Sequence, residues 1–591
     1  MTDFRAPSTE IFSLLRHAAD LDGVLALPAF AGVDEATVEG LVAEAGRFFE
    51  EVLAPLNRDS DVVGTVRRDD GGVSTAPGFA DAYRRMVDAG WMSIGGPVAY
   101  GGGGFPSVVN LAVHDLMASA CLSFSLCPTL TGGSIDALSE FGTEEQREVY
   151  LPRLISAEWS GTMNMTEPEA GSDVGALTTR ALPNDDGSWR ITGQKIFISW
   201  GEHDMADNIV HMVLARTPDS PPGTKGISLF LVPKYLVGDD GTLGEHNDVR
   251  CVSLEHKLGL HGSPTAVMAF GDEGGATGWL VGEEHGGMRA MFAMMNSARL
   301  AVGLEGVAIA ERAYQQALAF AHERRQGQAP GAEPGSPSPI VEHPDVQRML
   351  LDMASCIAAM RGLCYRTAAA SDRTDHAETA DQRRAGDHRA ALFTPLAKAW
   401  CTDLACELTS TGIQIHGGMG YVEETGAAQH FREARITPIY EGTNGIQAID
   451  LVSRKVPLDD GAAVRAHLAE MRSVATAAAA SPTLGGVAGH LTSALDAVEE
   501  ATAWMLAASP VDRLPGATAY LEMLAVATGG SILIDTALSA ADADDGQEAE
   551  RRATLARFFA MNRLAAVVGR RPAVEGLGAV LADGRTTVLA P

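Results

Sequence analysis

The chain has little cysteine and few basic residues for its length. Its seven cysteines in 591 residues lie far apart and form no Cys-x-x-Cys pair. The sequence therefore favours neither a disulfide framework nor a zinc ribbon, and no metal site is predicted. The 45 Lys and Arg residues stand against 76 Asp and Glu residues, for a net charge of -31. This charge argues against binding of nucleic acid or of an anionic membrane by bulk electrostatics.

Long apolar runs and nucleotide-binding glycine motifs are also missing. The sequence shows no apolar segment near its start and no run of eighteen apolar residues, so we expect neither a standard export signal nor membrane insertion. No Lys-Ser/Thr follows the glycines from Gly101 to Gly104, and no Gly-x-Gly-x-x-Gly follows a β-rich run, which argues against P-loop and Rossmann sites. We predict a soluble, cytoplasmic protein.

The residue patterns that are present predict a multidomain α+β fold. Apolar residues recur at helical spacing over 1–160, short β-rich runs fill 161–283, and helical periodicity returns over 284–455 and again over 456–591. We predict these four ranges as an N-terminal helical domain, a central β-domain, a helical domain of the four-helix-bundle type and an additional helical module.

Turn signals divide the β-rich region into short strands with no helix between them, which predicts an antiparallel sheet. The clearest strand runs are 189–198, 209–215, 227–232 and 266–270.

In the helical region, long helices are predicted over 291–325, 344–371 and 386–412. Residues 327–339 are rich in Pro, Gly and Ser and predict a mobile surface loop. In the tail, helix breaks are predicted at Pro482, at Pro510 and at Gly529-Gly530, and these breaks suggest a separate module.

Glu441 is the acidic residue with the most unusual setting. It lies near Ile436, Ile439, Tyr440 and Ile446 in a segment otherwise short of charge. An apolar environment would raise the pKa of this carboxyl group, and a raised pKa suits a base that removes a proton from carbon at neutral pH. The local sequence alone favours a solvated turn between two helices, and more motifs are needed to decide.

Three motifs supply that evidence. Residues 163–173 read MNMTEPEAGSD, residues 414–421 read QIHGGMGY, and residues 440–443 read YEGT. In this order, and within helical, β and helical segments, they resemble the signatures of the acyl-CoA dehydrogenase family. The resemblance covers about residues 40–455.

The resemblance implies FAD as the cofactor and Glu441 as the catalytic base. The implied cofactor-binding residues are Met163, Met165, Thr166, Phe197, Ser199, Arg324, Gln326, Gln414, Gly417, Gly418, Thr443 and Gly445. The implied substrate-binding residues are Ser172, Asn296, Arg299 and Gly442. Phe197 and Ser199 are two positions apart, so on a strand both side chains would face one ligand. A purely structural role for a buried Arg299 stays open.

The sequence departs from the family pattern at three places. Gly327-Gln328 follows Arg324 and Gln326 where Phe-Gly is common, Asn296 replaces an acid, and Gly445 stands where many relatives have Gln. The first departure puts the adenine contact in doubt and leaves the flavin contacts as expected.

The implied reaction is α,β-dehydrogenation of an acyl-CoA thioester to a trans-2-enoyl-CoA, with electrons passed to an electron-transfer flavoprotein, in a homodimer or a dimer of dimers. The tail, the 327–339 loop and the Thr443-Asn444-Gly445 variant resemble a subgroup of larger bacterial enzymes. This subgroup includes broad-specificity acyl-CoA dehydrogenases and 3-methylthiopropanoyl-CoA dehydrogenases.

Three alternatives remain. An acyl-CoA oxidase differs only in its electron acceptor. A DNA-associated alkylation-response flavoprotein is disfavoured because the tail carries no dense basic stripe. An inert scaffold is disfavoured because the base and the flavin contacts are present together.

Overall fold

The structure is a computed structural model that describes residues 4–238, 240–332, 335–543 and 546–590. The chain folds into two compact units. The first contains Arg47–Phe105 and Ala120–Ala298, and the second contains the residues up to Gly46, Pro106–Ser119 and the residues from Arg299 onward. The four predicted domain boundaries stay predictions.

The part of the chain before the large sheet is mainly helical, as predicted. Its helices are α1 (Ser8–His17), α2 (Leu21–Leu25), α3 (Glu35–Val52), α4 (Leu56–Val63), α5 (Phe79–Asp88), α6 (Ser107–Ala120), α7 (Leu122–Phe141) and α8 (Glu144–Ile155), and its strands are β1 (Val66–Arg67) and β2 (Val73–Ser74). In α8 a capping box between Thr143 and Gln146 satisfies free backbone N–H groups at the start of the helix.

Ten strands follow: β3 (Trp159–Asn164), β4 (Arg180–Pro183), β5 (Trp189–Ser199), β6 (Asn208–Arg216), β7 (Ile227–Pro233), β8 (Tyr235–Val237), β9 (Leu243–His246), β10 (Val249–Leu254), β11 (Thr265–Phe270) and β12 (Ala276–Val281). Eight of them form one sheet in the order β10-β11-β5-β12-β7-β6-β3, with β4 beside β5 and β6.

This sheet is mostly antiparallel, but its pairing differs from the prediction at one edge. Strand β3 pairs with β6 in parallel, with Trp159 opposite Asn208. A parallel pair needs a long crossover, and the connection from β3 to β6 supplies one because it runs through β4 and β5. The apolar face of the sheet packs on α7, and Gly161 of β3 lies so close to this helix that a Cβ would stand 2.3 Å from Ser134 Oγ.

The remaining chain is helical, and the predicted succession of helical, β and helical segments with an extra helical module is confirmed. The helices are α9 (Gly287–Glu323), α10 (Pro344–His376), α11 (Ala380–His416), α12 (Ala427–Ala434), α13 (Asn444–Asp450), α14 (Ala462–Ala480), α15 (Gly485–Ala507), α16 (Ala517–Asp542), α17 (Gly546–Phe559), α18 (Ala565–Val567) and α19 (Arg571–Thr587).

Glycines set the close approach of these helices. A Cβ on Gly303 of α9 would lie 2.8 Å from the carbonyl oxygen of Ala397 of α11, so the two backbones nearly touch. The predicted break at Gly529-Gly530 is wrong, because both residues lie inside α16. A Cβ on Gly529 would meet the Trp400 ring at 2.7 Å, so this glycine is a packing residue and not a turn.

Helix α16 is also the centre of the additional module. The segment Leu514–Asp542 is long and apolar enough to cross a membrane by length and composition, but 78% of its most apolar window is buried in the protein. Its neighbours are α10, α11, α14, α15 and α17. The helix therefore serves as a core helix, and the tail shares one compact unit with α10 and α11.

A buried ion cluster joins three helices of the second unit. Arg361 of α10 donates from Nε to Asp115 of α6 at 2.7 Å and from Nη1 to Glu311 of α9 at 3.1 Å. The hydroxyl of Tyr365 donates to the same Asp115 carboxylate at 2.7 Å. Because both Arg361 and Asp115 are fully buried, loss of either would leave an uncompensated charge.

Candidate active site

Glu441 lies in a tight turn that ends at the start of α13. The backbone N–H of Asn444 donates to the carbonyl of Pro438 at 3.1 Å and closes the turn. The hydroxyl of Thr443 accepts from the N–H of Ile446 at 3.3 Å and caps the helix. Glu441 itself has φ 54°, a left-handed conformation that costs a side-chain-bearing residue about 1–2 kcal/mol. Such strain is concentrated at functional sites.

Glu441 is half-buried as a residue, and one oxygen of its carboxyl group is enclosed. Its Oε2 atom is buried and accepts no hydrogen bond from any residue that the structure describes. Burial raises the pKa of this group, while Arg299 and then Lys398 act in the opposite direction. The direction predicted from sequence is confirmed, but the neighbours differ. Ile439 and Ile446 are 48% and 36% exposed, and the charged groups acting on Glu441 come from α9 and α11.

Gly442 is required where it lies. Its φ of 80° favours glycine, and a Cβ would stand 2.7 Å from Nε2 of Gln447. That amide group donates to the carbonyl oxygens of Glu441 at 3.3 Å and of Gly442 at 3.4 Å. Gln447 is buried. Its side-chain amide therefore holds the carbonyl groups of both Glu441 and Gly442 in place.

Asn444 connects this turn to α11 by several hydrogen bonds. Its Oδ1 accepts from Nζ of Lys398 at 2.8 Å, and its Nδ2 donates to the carbonyl of Ala399 at 3.0 Å, to Thr402 Oγ1 at 2.9 Å and to Asp403 Oδ1 at 2.8 Å. The amide therefore fixes the loop three residues after Glu441.

A second carboxyl group, that of Glu305, lies near the candidate base. The hydroxyl of Tyr440 donates to its Oε2, and its buried Oε1 has no hydrogen-bond partner among the described residues. Burial raises the pKa of Glu305 to about 8, and Glu441 acts in the same direction. Glu305 is 1% exposed, so it is neutral over most of the physiological pH range.

The predicted flavin-edge residues lie on the first compact unit, where β3 ends. Met163 is buried, and the segment after it is held by a buried ion pair between Lys195 and Glu167 at 2.8 Å. Burial acts against ionisation of Glu167, but Lys195 and the Thr178 and Thr179 groups lower its pKa to about 2. Lys195 also donates to the Met165 carbonyl at 3.2 Å. The ion pair therefore holds the backbone of this segment in place.

Thr166 and Phe197 are neighbours at this edge, because the N–H of Ile196 donates to the Thr166 carbonyl at 2.9 Å. The register of β5 against β11 shifts between Ala266 and Met268, and Phe197 has φ 59°. This bulge turns the Phe197 ring outward, where it is 59% exposed. An exposed aromatic ring beside polar groups fits one face and the hydrogen-bonding edge of a flavin. Ser199 is half-buried two positions on.

Five of the predicted cofactor contacts lie at the ends of two helices of the second unit: Arg324, Gln326, Gln414, Gly417 and Gly418. Gln414, Gly417 and Gly418 are exposed at the end of α11. Gly417 has φ 62°, and a Cβ on Gly418 would meet nothing within 4 Å, so backbone groups here are open to an anion. Between them His416 donates from Nδ1 to the Gly412 carbonyl at 2.7 Å and packs on Phe320.

After α9, Nη2 of Arg324 donates to Oε1 of Gln326 at 2.9 Å, so these two predicted cofactor contacts lie side by side. The base of the predicted mobile loop is fixed, since the N–H of Gln326 bonds to the Ser338 carbonyl at 3.0 Å and the N–H of Ser338 bonds to the Gly327 carbonyl at 2.8 Å. Residues 333 and 334 of this loop lie outside the described residues. The exposed backbone groups at the end of α11 and the exposed Arg324 and Gln326 side chains offer donors that suit the phosphates of FAD.

Among the predicted substrate contacts, Gly442 and Arg299 lie in the Glu441 cluster, where Arg299 is 6% exposed. Ser172 and Asn296 are exposed residues of the first unit, and Gly445 is an exposed residue of the second.

Glu305, Lys398 and Gln447 also belong to this cluster, although no motif in the sequence pointed to them. One signal was available: Lys398 is the lone charged residue in the apolar run 396–401 of a predicted helix, and Glu305 stands in the same way in 300–310. A solitary charge on an apolar helix face is seldom buried without a partner or a function.

Four family models match the chain in succession. The N-terminal, middle and C-terminal domains of acyl-CoA dehydrogenase match residues 36–158, 162–272 and 285–457. A domain described as acetyl-CoA dehydrogenase C-terminal like matches residues 467–584.

Individual proteins are similar over most of the chain. The 3-methylmercaptopropionyl-CoA dehydrogenase of Ruegeria pomeroyi is 48% identical over 468 residues, which are 79% of each protein. The broad-specificity linear acyl-CoA dehydrogenase FadE5 of Mycobacterium tuberculosis is 35% identical over 478 residues, 78% of this chain and 76% of that protein. The structure of Caenorhabditis elegans ACDH-11 in complex with C11-CoA covers 100% of this chain and 96% of its own, with a TM-score of 0.77 at 20% identity.

Proposed function

Because the chain belongs to the acyl-CoA dehydrogenase family, we propose that Glu441 is its catalytic base. The protein is an FAD-dependent oxidoreductase that acts on acyl-CoA. The observation that carries the assignment of the base is the setting of Glu441: an enclosed carboxyl group, at a left-handed residue, facing Arg299 and Lys398.

In this proposal Glu441 removes the α-proton of the acyl thioester, and the product is a trans-2-enoyl-CoA. FAD, when bound, supplies the hydride acceptor for the β-hydrogen. A carboxylate whose pKa is raised by burial is a stronger base than one in water. Gln447 holds the backbone around Gly442, and the glycine leaves room for the thioester to approach the base. Met165, Thr166, Phe197 and Ser199 would hold the flavin.

The remaining assignments complete the cofactor site. Met163, Arg324, Gln326, Gln414, Gly417, Gly418, Thr443 and Gly445 are proposed as further FAD contacts, and Ser172, Asn296 and Arg299 as contacts to the substrate. We propose an electron-transfer flavoprotein as the electron acceptor, a cytoplasmic location, and assembly as a homodimer or a dimer of dimers. Light scattering after gel filtration tests the assembly, and the hydrogen peroxide formed per turnover tests the oxidase alternative.

The substrate favoured for first testing is 3-methylmercaptopropionyl-CoA, since the relative that is 48% identical is named for it. The competing candidates are straight-chain acyl-CoA thioesters, which the name of the FadE5 relative suggests. Anaerobic titration of the purified flavoprotein with both kinds of thioester shows which of them reduce the flavin, and steady-state assays then rank them by kcat/KM.

Replacement of the base tests the proposal directly. Glu441→Gln keeps the side-chain shape, so FAD content is expected to match wild type, while bleaching of the flavin by acyl-CoA falls by at least about a thousandfold because no carboxylate takes the α-proton. Glu423→Gln, at an exposed residue of the same unit, is the matched control. Bleaching by Glu441→Gln at the wild-type rate would show that another group is the base.

A further inference from the structure

Lys398 of α11 is a buried cation that the proposed reaction does not use. The residue is 0% exposed, and its ammonium group donates to Oδ1 of Asn444 at 2.8 Å. No carboxylate oxygen of a described residue lies within 4 Å of it. Burying an ammonium group whose only hydrogen-bond partner is neutral costs free energy. We therefore expect Lys398 to be stabilised by a carboxylate beyond hydrogen-bond distance.

The charged groups around Lys398 identify that negative charge. Burial lowers the pKa of Lys398 to about 8, and among the nearby carboxyl groups Glu441 opposes this shift most, ahead of Asp403 and Glu305. Asp403 is already hydrogen-bonded by Asn444, and Glu305 is neutral over most of the physiological range because of its burial. Glu441 is therefore the carboxylate that Lys398 faces.

The other groups that face Glu441 are accounted for in the same way. Arg299 is the larger of the two cationic influences on Glu441, but it is also drawn to Asp450, which itself forms an ion pair with Arg454. The hydroxyl of Tyr440 donates to Glu305. Lys398 differs from Arg299 because its ammonium group is held by the loop of Glu441 itself, through Asn444.

We propose that Lys398 and Asn444 form a clamp that positions the Glu441 loop and keeps Glu441 ionised before the thioester arrives. Asn444 fixes the strained turn by its bonds to α11, and in doing so it holds the ammonium group within electrostatic range of the base. Lys398 is a positioning residue in this scheme, since it acts through Glu441. The inference rests on the proposed role of Glu441.

The test is the pH dependence of kcat/KM, which reports ionisation in the free enzyme. An opposite charge lowers the pKa of a carboxyl group, so its removal raises that pKa. In Lys398→Met the acid limb is expected to move by about one unit to higher pH, which lowers kcat/KM about tenfold below the limb and leaves the alkaline plateau close to wild type.

Lys398→Arg keeps the charge, and its limb is expected to stay near the wild-type position. Lys225→Met removes an ammonium group from an exposed turn of the first unit and is expected to change nothing. FAD content and melting temperature are measured for each variant.

Asn444→Ser provides a second route that leaves the lysine in place. Loss of the amide is expected to lower kcat more than it changes KM, because the base loop is released from α11.

An acid limb that does not move in FAD-loaded Lys398→Met, or a uniform loss at every pH in both Lys398 variants, overturns the proposal. If Lys398→Met does not retain FAD, an Asn444→Ser enzyme with wild-type kcat overturns it instead. Glu441→Gln is run alongside, because an active Glu441→Gln enzyme would refute the base assignment and not the clamp.

Discussion

Glu305→Gln should make the protein more stable, and increasingly so as the pH rises. Glu305 is 1% exposed, accepts the hydroxyl of Tyr440, and has its pKa raised by burial from 4.5 to about 8. An acid whose pKa is raised by folding contributes stability at low pH and loses it as the pH rises through the folded-state pKa. Glutamine keeps an acceptor for Tyr440 and carries no proton to lose.

The magnitude follows from the size of the shift. Between pH 5.5 and pH 8 the folded protein binds almost one more proton at Glu305 than the unfolded chain does, which costs about 1.4 kcal/mol per pH unit. Relative to wild type, Glu305→Gln is therefore expected to gain about 3 kcal/mol in free energy of unfolding between pH 5.5 and pH 8.5.

Thermal unfolding at these two pH values, followed by circular dichroism, measures the difference. The gap in melting temperature is expected to widen by a few degrees in favour of Glu305→Gln at the higher pH. Glu323→Gln removes an exposed carboxylate near the end of the same helix and serves as the control, with no such widening expected. A gap that is the same at both pH values would mean that Glu305 is not neutral in the folded protein.

Two further substitutions probe the second unit. Arg361→Met leaves Asp115 buried without its cation and is expected to lower the free energy of unfolding by about 3–5 kcal/mol; a melting temperature equal to wild type would contradict this. Gly442→Ala places a methyl group 2.7 Å from Nε2 of Gln447 and is expected to lower kcat at least about tenfold with normal FAD content, because the peptide after Glu441 must shift. Full activity would show that the turn tolerates a side chain.

Much of the fold could be predicted because apolar periodicity reports which face of an element is buried. The helix predicted over 344–371 is α10, and the helix predicted over 386–412 is α11. The start of α11 was placed six residues late, although Thr379 and Gln382 form a capping box that the sequence displays. The glycine pair of α16 was misinterpreted for a different reason: its role depends on Trp400, which is distant in sequence.

The candidate site, like the fold, could be predicted from the sequence only in part. Motifs identified Glu441, because its chemistry requires one residue type at one turn. The groups that tune its ionisation could not be predicted, since Arg299 and Lys398 come from different helices and a local pattern does not report which charges will meet. The isoleucines expected to enclose the candidate base are partly exposed, although burial still raises the pKa of Glu441 as the sequence predicts.

The neutrality of Glu305 and the charge of Lys398 belong to one electrostatic arrangement. If Glu305 were ionised, its charge would oppose that of Lys398 at Glu441, and the base would hold its proton to higher pH. By burying Glu305 against Tyr440, the protein removes a competing anion without removing the carboxyl group that orients the tyrosine next to the base. Burial raises the pKa of Glu441, while Arg299 and Lys398 lower it, so the proposed base combines the greater basicity of a buried carboxylate with cations that favour its ionised form.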